Sequence, residues 1–242
     1  MKSDTFHFQQ FTIHQDRCAM KVGTDGVLLG AWARGGKRIL DIGTGTGLIA
    51  LMMAQRYPHA EVVGIDIDAE ACQQAMENVA QSPFHRQVHI VHTPLQRFLP
   101  PFPTLYDGAS GNCFDSIVSN PPYFINSLKN PDGKRTMARH ADTLSPRDLF
   151  DGVNRLLSMD GTFSVIIPSD RVNDYLTEGY LHHLYPFSKC YVKTLPNKQP
   201  KRCLLSFQKQ RPTNIDETVV NMMESPTERS EWYKKLTEDY YL

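Results

Sequence analysis

The run Arg38-Ile39-Leu40-Asp41-Ile42, continued by Gly43-Thr44-Gly45-Thr46-Gly47 and an apolar helical pattern over 48–57, constrains the fold more than any other stretch. A strand passes through three alternate glycines into a helix, and Pro58 stops that helix. Such a unit belongs to a parallel α/β sheet, because two parallel strands need a crossover between them. Further strands are expected at 61–65, 88–91, 116–119 and 161–168. A helix spans 68 to about 81, with Ala71, Ala75 and Val79 on one face. Ser145 and Pro146 read as the N-cap and first residue of another helix. After a helix ending near His183, two extended runs flank the turn Pro-Asn-Lys-Gln-Pro-Lys-Arg as a closing hairpin. Ser225, Pro226 and Glu228 read as a capping-box start for a C-terminal helix whose aromatic face docks on the sheet. With 242 residues, the chain suits one large core rather than two domains. A single domain over 1–242 is expected: a 1–37 extension packing on the cofactor side, a core sheet over 38–209 and a C-terminal helix over 225–242.

The glycine turn sits where a helix N-terminus offers unpaired N–H groups and a partial positive charge. A nicotinamide or flavin dinucleotide calls for G-x-G-x-x-G. Here the spacing is G-x-G-x-G, and Asp41 stands two residues before Gly43. A carboxylate there repels a pyrophosphate and suits an ammonium, such as the amino-acid part of S-adenosylmethionine. Asp66 closes the second core strand, where it can accept both ribose hydroxyls of an adenosine. Asp68 reads as the N-cap of the next helix rather than a ligand. The expected cofactor contacts are Asp41, Gly43, Thr44, Gly45, Gly47, Asp66, Ile67, Thr93 and Asn120. Lys21, Thr24 and Asp25 are expected to help close the pocket, with a plain turn at Gly-Thr-Asp-Gly as the equal alternative.

The second chemical signal is Asn120-Pro121-Pro122-Tyr123, at the end of the fourth core strand. Prolines cannot continue a ladder, since each lacks an N–H. An amino group on a planar system is a poor nucleophile, because its lone pair is delocalised. Acceptors on both of its protons favour a localised lone pair. The Asn120 side-chain oxygen is one acceptor and the Pro121 carbonyl, aimed by successive prolines, is the other. Tyr123 supplies a stacking face for a flipped base. These four residues are the catalytic candidates. The bland alternative is a rigid loop that ends a strand.

Charge balance taken alone gives no sign of a nucleic-acid partner, with 26 basic and 26 acidic residues. Its distribution does. Lys198, Lys201, Arg202, Lys209 and Arg211 fall in a stretch with no acid, while the tail from 212 on holds seven acids against three bases. Lys129, Lys134, Arg135 and Arg139, with His140 beside them, face only Asp132 in the 126–140 stretch. Basic patches of this kind meet phosphate backbones, although a solvated loop has the same composition. The five scattered cysteines form no C-x-x-C pair, so neither a metal site nor a disulfide framework is expected. No apolar run approaches a membrane span and the start is not signal-like, so a cytoplasmic protein is expected.

Taken together, "DIGTGTG", "GIDID" and "NPPY" resemble class I S-adenosylmethionine-dependent methyltransferases acting on amino groups of planar systems. The resemblance covers almost the whole chain. More narrowly, "HQDRCAMKVGTDGVLLGAW" (14–32), "SNPPYF", "ARH" (138–140) and the ending "SEWYKKLTEDYYL" are similar to the bacterial tRNA1(Val) adenine-37 N6-methyltransferase family. That resemblance implies a Rossmann-like α/β fold: a doubly wound, mostly parallel, seven-stranded sheet with a C-terminal antiparallel hairpin. It implies S-adenosyl-L-methionine as cofactor, tRNA as partner, no metal, no membrane and a monomer. RNA contact is implied for Arg135, Arg139, His140, Lys198, Lys201 and Arg202. One departure stands out: the third core strand is followed by Thr93-Pro94 rather than an acid, so the contact to the cofactor adenine is left unassigned, with backbone groups or Gln96 as the substitutes on offer. Two enzyme alternatives share the Asn-Pro-Pro-Tyr loop, a protein glutamine N5-methyltransferase and a ribosomal-RNA guanine N2-methyltransferase. A non-catalytic RNA-binding protein is the alternative of a different class.

Overall fold

A computed structural model describes residues 4–18, 21–100, 114–122 and 144–242. The chain opens with a short antiparallel hairpin, β1 (Thr5–His7) and β2 (Thr12–His14), then helix α1 (Thr24–Trp32). The alternation follows with β3 (Arg38–Ile42), α2 (Leu48–Arg56), β4 (Glu61–Asp66), α3 (Ala69–Ala80), β5 (Val88–His92) and β6 (Phe114–Ser119). Next come α4 (Pro146–Leu156), β7 (Leu157–Pro168), α5 (Val172–Leu181), β8 (Tyr185–Lys193) and β9 (Arg202–Gln208). The chain closes with β10 (Asp216–Asn221), a small hairpin of β11 (Met223–Ser225) and β12 (Glu228–Arg229), and α6 (Glu231–Thr237). The irregular connection and the long loop read at 100–113 and 124–144 fall almost wholly outside the described residues.

The central sheet has the order β10-β8-β9-β7-β6-β3-β4-β5. Five of its neighbouring pairs are parallel; β9 runs antiparallel to both β7 and β8. This is the expected mostly parallel sheet with a C-terminal antiparallel hairpin. One strand more than the expected seven is present. Residues 216–221 pair with β8, so the sheet runs beyond 209, and the β-branched run Thr218-Val219-Val220 suits an edge strand.

Successive residues of the central strands face opposite layers. Ile39, Val62, Val118, Ile166 and Leu204 join one core with α1, α2 and the C-terminal Tyr233 and Tyr240. Leu40, Val63, Ile117, Val165 and Leu205 join the other, under α4 and α5. Burial on both faces explains why these strands read as continuous apolar runs. β3 has β4 on one side and β6 on the other. The strand order therefore reverses between β3 and β6, the position at which open α/β sheets hold ligands.

Two helix caps read from the sequence form as expected. Asp68 accepts from the N–H groups of Glu70 and Ala71, and Ser145 from that of Asp148. The C-terminal cap differs. Pro226 starts no helix: Ser225 pairs with Glu228 across Pro226-Thr227 as a tight turn, and proline suits the first central position of such a turn. The helix starts at Glu231 instead, and Ser230 is its N-cap, accepting from Tyr233 N–H at 3.1 Å and donating to the Asn221 carbonyl. The helix packs on α1 and on the edge strand β10 of the sheet, and beyond its end Tyr240 Oη donates to the Met52 carbonyl of α2 at 3.1 Å. The two ends of the chain also meet. Gln9 donates to the carbonyls of Glu238 and Tyr241, and the Phe8 and Tyr241 rings stack. The 1–37 extension is thus divided between this junction, the segment leading to Cys18 and α1, which lies against α2.

Ser230→Ala is expected to lower the unfolding free energy by about 1–2 kcal/mol in urea titrations, whereas Ser225→Ala changes it by less than about 0.5 kcal/mol.

Candidate active site

Gly43, Gly45 and Gly47 all have positive φ, at 73°, 54° and 82°. Any other residue is strained at each of the three. The turn folds back onto β4, with the N–H groups of Gly43 and Thr44 both donating to the Ile65 carbonyl. β4 must give way for this. A Cβ at Gly64 would stand 2.7 Å from Thr44 Oγ1, so a glycine is required there too.

Asp41 lies below the turn, wholly buried. Its Oδ2 accepts from Thr44 Oγ1 at 2.7 Å and from Ala50 N–H at 3.2 Å. Gly47, the N-cap of α2, has no side chain to offer. Asp41 therefore caps the helix from a neighbouring strand, at its positive end. Its Oδ1 has no hydrogen-bonding partner among the described residues. Burial pushes the carboxyl up to about 7, against the two hydrogen bonds that favour its charge.

A cleft of about 520 Å³ opens beside this turn at the carboxyl ends of β3, β4 and β6. Of the residues expected from the sequence, Gly43, Gly45, Asp66, Ile67, Thr93, Asn120, Pro121 and Pro122 line it. Asp66 is also structural: its Oδ2 accepts from Gly45 N–H at 2.9 Å and its Oδ1 from Asp68 N–H at 3.0 Å. A carboxylate has about four acceptor positions, so both oxygens retain capacity toward the cleft. Ile67 is 49% exposed. An apolar side chain left so open in a cleft wall offers a flat ring an apolar surface. At β6, Ser119 Oγ donates to the Ile42 carbonyl at 2.9 Å and ties the strand end to β3. Pro121 is buried, Asn120 partly so, and Pro122 is exposed.

Other expected residues stand elsewhere. Asp41, Thr44 and Gly47 build the turn but do not line the cleft. Lys21 Nζ pairs with Asp4 at 2.8 Å, and Thr24 is exposed at the start of α1. Asp25 Oδ2 pairs with Arg202 Nε at 2.7 Å, so two residues expected in different roles meet each other. Tyr123, Arg135, Arg139 and His140 lie outside the described residues. Gln96, named as a substitute for the missing acid, lines the cleft, and so do Cys18, Leu95 and Leu144, which were not expected there. No local pattern marks Cys18 or Leu144, because chain segments remote from the turn bring them in.

Register fixes where the basic hairpin lies. Ser119 of β6 is level with Val165 of β7, and Pro168 at the end of β7 is level with Arg202 at the start of β9. The β8–β9 turn, with Lys198 and Lys201 exposed, is therefore on the same edge of the sheet as Asn120. β6 and β9 are separated by β7 alone, about 10 Å across the sheet. Among the described residues no helix is long and apolar enough to cross a membrane, and no cluster of His, Cys, Asp or Glu is placed to hold a metal.

Comparison with known proteins bears on the family and the fold. Residues 22–148 match the family described as methyltransferase small domain. The tRNA1(Val) (adenine(37)-N6)-methyltransferase of Bacteroides thetaiotaomicron is 47% identical, over 100% of this chain and 99% of that one. The protein of the same name from Parabacteroides distasonis is 41% identical, over 100% and 99%. Among solved structures, a predicted O-methyltransferase from Agrobacterium tumefaciens superposes with a TM-score of 0.67 over 89% of this chain and 96% of that one. At 17% identity, that likeness is one of fold.

The state of Asp41 has a consequence for stability. Its ordinary value is 3.8, and the folded chain holds it near 7. Below pH 3.8 both folded and unfolded forms are protonated. As pH rises toward 7 the unfolded form loses its proton first, so stability falls, and the loss is complete above about 7. Relative to wild type, Asp41→Asn is expected to gain a few kcal/mol in urea titrations between about pH 5 and pH 8, and a constant difference across that range refutes the assignment.

Proposed function

The chain belongs to the tRNA1(Val) (adenine(37)-N6)-methyltransferase family, and we propose that it transfers a methyl group from S-adenosyl-L-methionine to the N6 amino group of adenine 37 in tRNA1(Val). One observation carries the reading: Asn120, Pro121 and Pro122 line the same cleft as Gly43, Gly45 and Asp66. An amine-recognising loop and a nucleoside-recognising carboxylate share one space.

The residues present fit the cofactor. A Cβ at Gly43 would meet nothing within 4 Å, so the missing side chain leaves room above the turn for a ligand. The cleft volume lies within the range of about 300–1,000 Å³ usual for such ligands. Asp66 would hold the ribose hydroxyls. Ile67 and Pro94, which line the same cleft, would offer the adenine apolar surface, which needs no acid after the third core strand. Asp41 acts on the amino-acid end through the turn it braces. When bound, the cofactor supplies a methyl group on a sulfonium, an electrophile with a neutral leaving group.

The chain's own contribution is to orient the amine. The Asn120 side-chain oxygen accepts one N6 proton and the Pro121 carbonyl the other, which leaves the lone pair directed at the methyl. Burial of Pro121 and the Ser119–Ile42 bond hold this pair of acceptors still, so little reorganisation is needed at the moment of transfer. The proton leaves afterwards to water, and no strong base is needed. The side chain of Tyr123, next in sequence, is the stacking surface for the flipped adenine. Lys198 and Lys201 supply phosphate contacts from the hairpin. Arg202 is the weaker candidate for such a contact, since Asp25 already holds it. The protein acts in the cytoplasm, where its tRNA substrate is found, and as a monomer.

The decisive experiment is methylation of total tRNA from a strain lacking the protein, with the product mapped by mass spectrometry. N6-methyladenosine at position 37 of the valine tRNA is expected. A methylated guanine, or methylated protein alone, refutes the reading. Asn120→Ala is expected to lower the turnover number at least about 100-fold with calorimetric cofactor binding intact; turnover equal to wild type removes Asn120 from its role. Lys198→Glu with Lys201→Glu is expected to weaken tRNA binding and reduce the slope of log K against log salt by about two contacts, and an unchanged slope takes the hairpin out of the RNA surface.

A further inference from the structure

The segment between His14 and Val22 brings Cys18 into the cleft wall. Cys18 Sγ lies 3.9 Å from where a Cβ on Gly45 would stand. Its described residues have no regular structure after β2, so its backbone groups need partners from elsewhere. Two buried amides of α3 supply them.

Asn78 has none of its surface exposed. Its Oδ1 accepts from His14 N–H at 2.9 Å, and its Nδ2 donates to the His14 carbonyl at 2.9 Å. The side chain thus pairs with His14 as a neighbouring strand would. The same Nδ2 donates to the Thr46 carbonyl, inside the glycine turn, at 2.9 Å. One buried amide therefore bridges two walls of the cleft. Gln74, also buried, accepts from Arg17 N–H at 3.1 Å, directly before Cys18. Gln15 accepts from Val22 N–H at 2.7 Å. A residue that merely filled this space would be apolar, because burying an amide is costly unless its groups are paired.

We infer that Asn78 is a positioning residue for cofactor binding, joining the Cys18 segment to the glycine turn so that the two form one rigid wall. The inference rests on the reading of the cleft as the S-adenosylmethionine site. Asn78 touches no substrate; it acts through the segment and the turn.

The test measures affinity, not activity alone. Asn78→Asp keeps the acceptor for His14 N–H and sets a carboxylate against two carbonyls. It is expected to raise the calorimetric Kd for S-adenosylhomocysteine by at least about tenfold. At saturating S-adenosylmethionine, kcat and the KM for tRNA are expected to stay within about twofold of wild type. A structural role alone lowers Tm and leaves the Kd of the folded protein unchanged, and that result overturns the proposal. Should Asn78→Asp not fold, Gln74→Leu removes the acceptor of Arg17 N–H at nearly constant volume and is expected to raise Kd by about threefold; an unchanged Kd there overturns it equally. In the wild type, S-adenosylhomocysteine is expected to slow alkylation of Cys18 by iodoacetamide, read by peptide mass, and equal rates with and without it overturn the role of the segment as a wall. A wild type that binds neither ligand refutes the cofactor reading, and this inference with it. A wild type that binds while the variants bind equally well refutes the inference alone.

Discussion

Everything in the cleft depends on how the chain leaves β3. Three residues with positive φ in a five-residue turn form a strained path for anything but glycine, and the path holds only because it is tied from both sides. From below, the buried Asp41 carboxylate accepts from Thr44 and from the third N–H of α2. From the side, Asp66 at the end of the next strand accepts from Gly45 N–H. These two carboxylates, in neighbouring strands, convert a flexible glycine run into a fixed cradle. Their environments then separate them: one is sealed off and its proton is held more tightly, the other is left open toward the cleft.

The rest of the site is assembled on that cradle. Ser119 attaches the end of β6 to the end of β3, which sets Asn120 and Pro121 beside the turn. Asn78 attaches the N-terminal segment to the same turn from α3. The order reversal between β3 and β6 opens a crevice at the strand ends, and these two attachments brace its walls. The β8–β9 turn stands on the same edge because β9 returns antiparallel to β7. A hairpin at the end of the sheet is thus brought to the same edge as Asn120 and Pro121 without any direct contact being needed.

Much of this was legible in the sequence because its causes are local. Gly43, Gly45 and Gly47 announce a left-handed turn, Asp68 and Ser145 announce helix starts, and apolar runs announce strands buried on both faces. The readings that changed were those with two local solutions of similar quality. Ser225 and Ser230 are both good cap residues, and the choice went to Ser230 because its hydroxyl also meets the Asn221 carbonyl at the end of β10. Residues 216–221 look like tail until β8 offers an unpaired edge. Arg202 looks like one more cation of a basic hairpin, yet Asp25, 177 residues away in sequence, holds it.

The sequence by itself determined the residue pattern at the two strand ends: a glycine turn with flanking carboxylates, and an amide followed by two prolines. Within each signal the residues are a few positions apart, so chain connectivity alone brings their atoms together. Tertiary structure decided which of those residues line the cleft. Asp41 is buried and Asp66 is not, because Asp41 stands inside β3 under the turn that folds back onto β4, whereas Asp66 is the last residue of β4, at the cleft. It also decided that Cys18 belongs to the wall and that Asn78 holds it there. Such contacts join segments about 60 residues apart, and no local preference of φ, ψ or hydropathy records a partner at that distance.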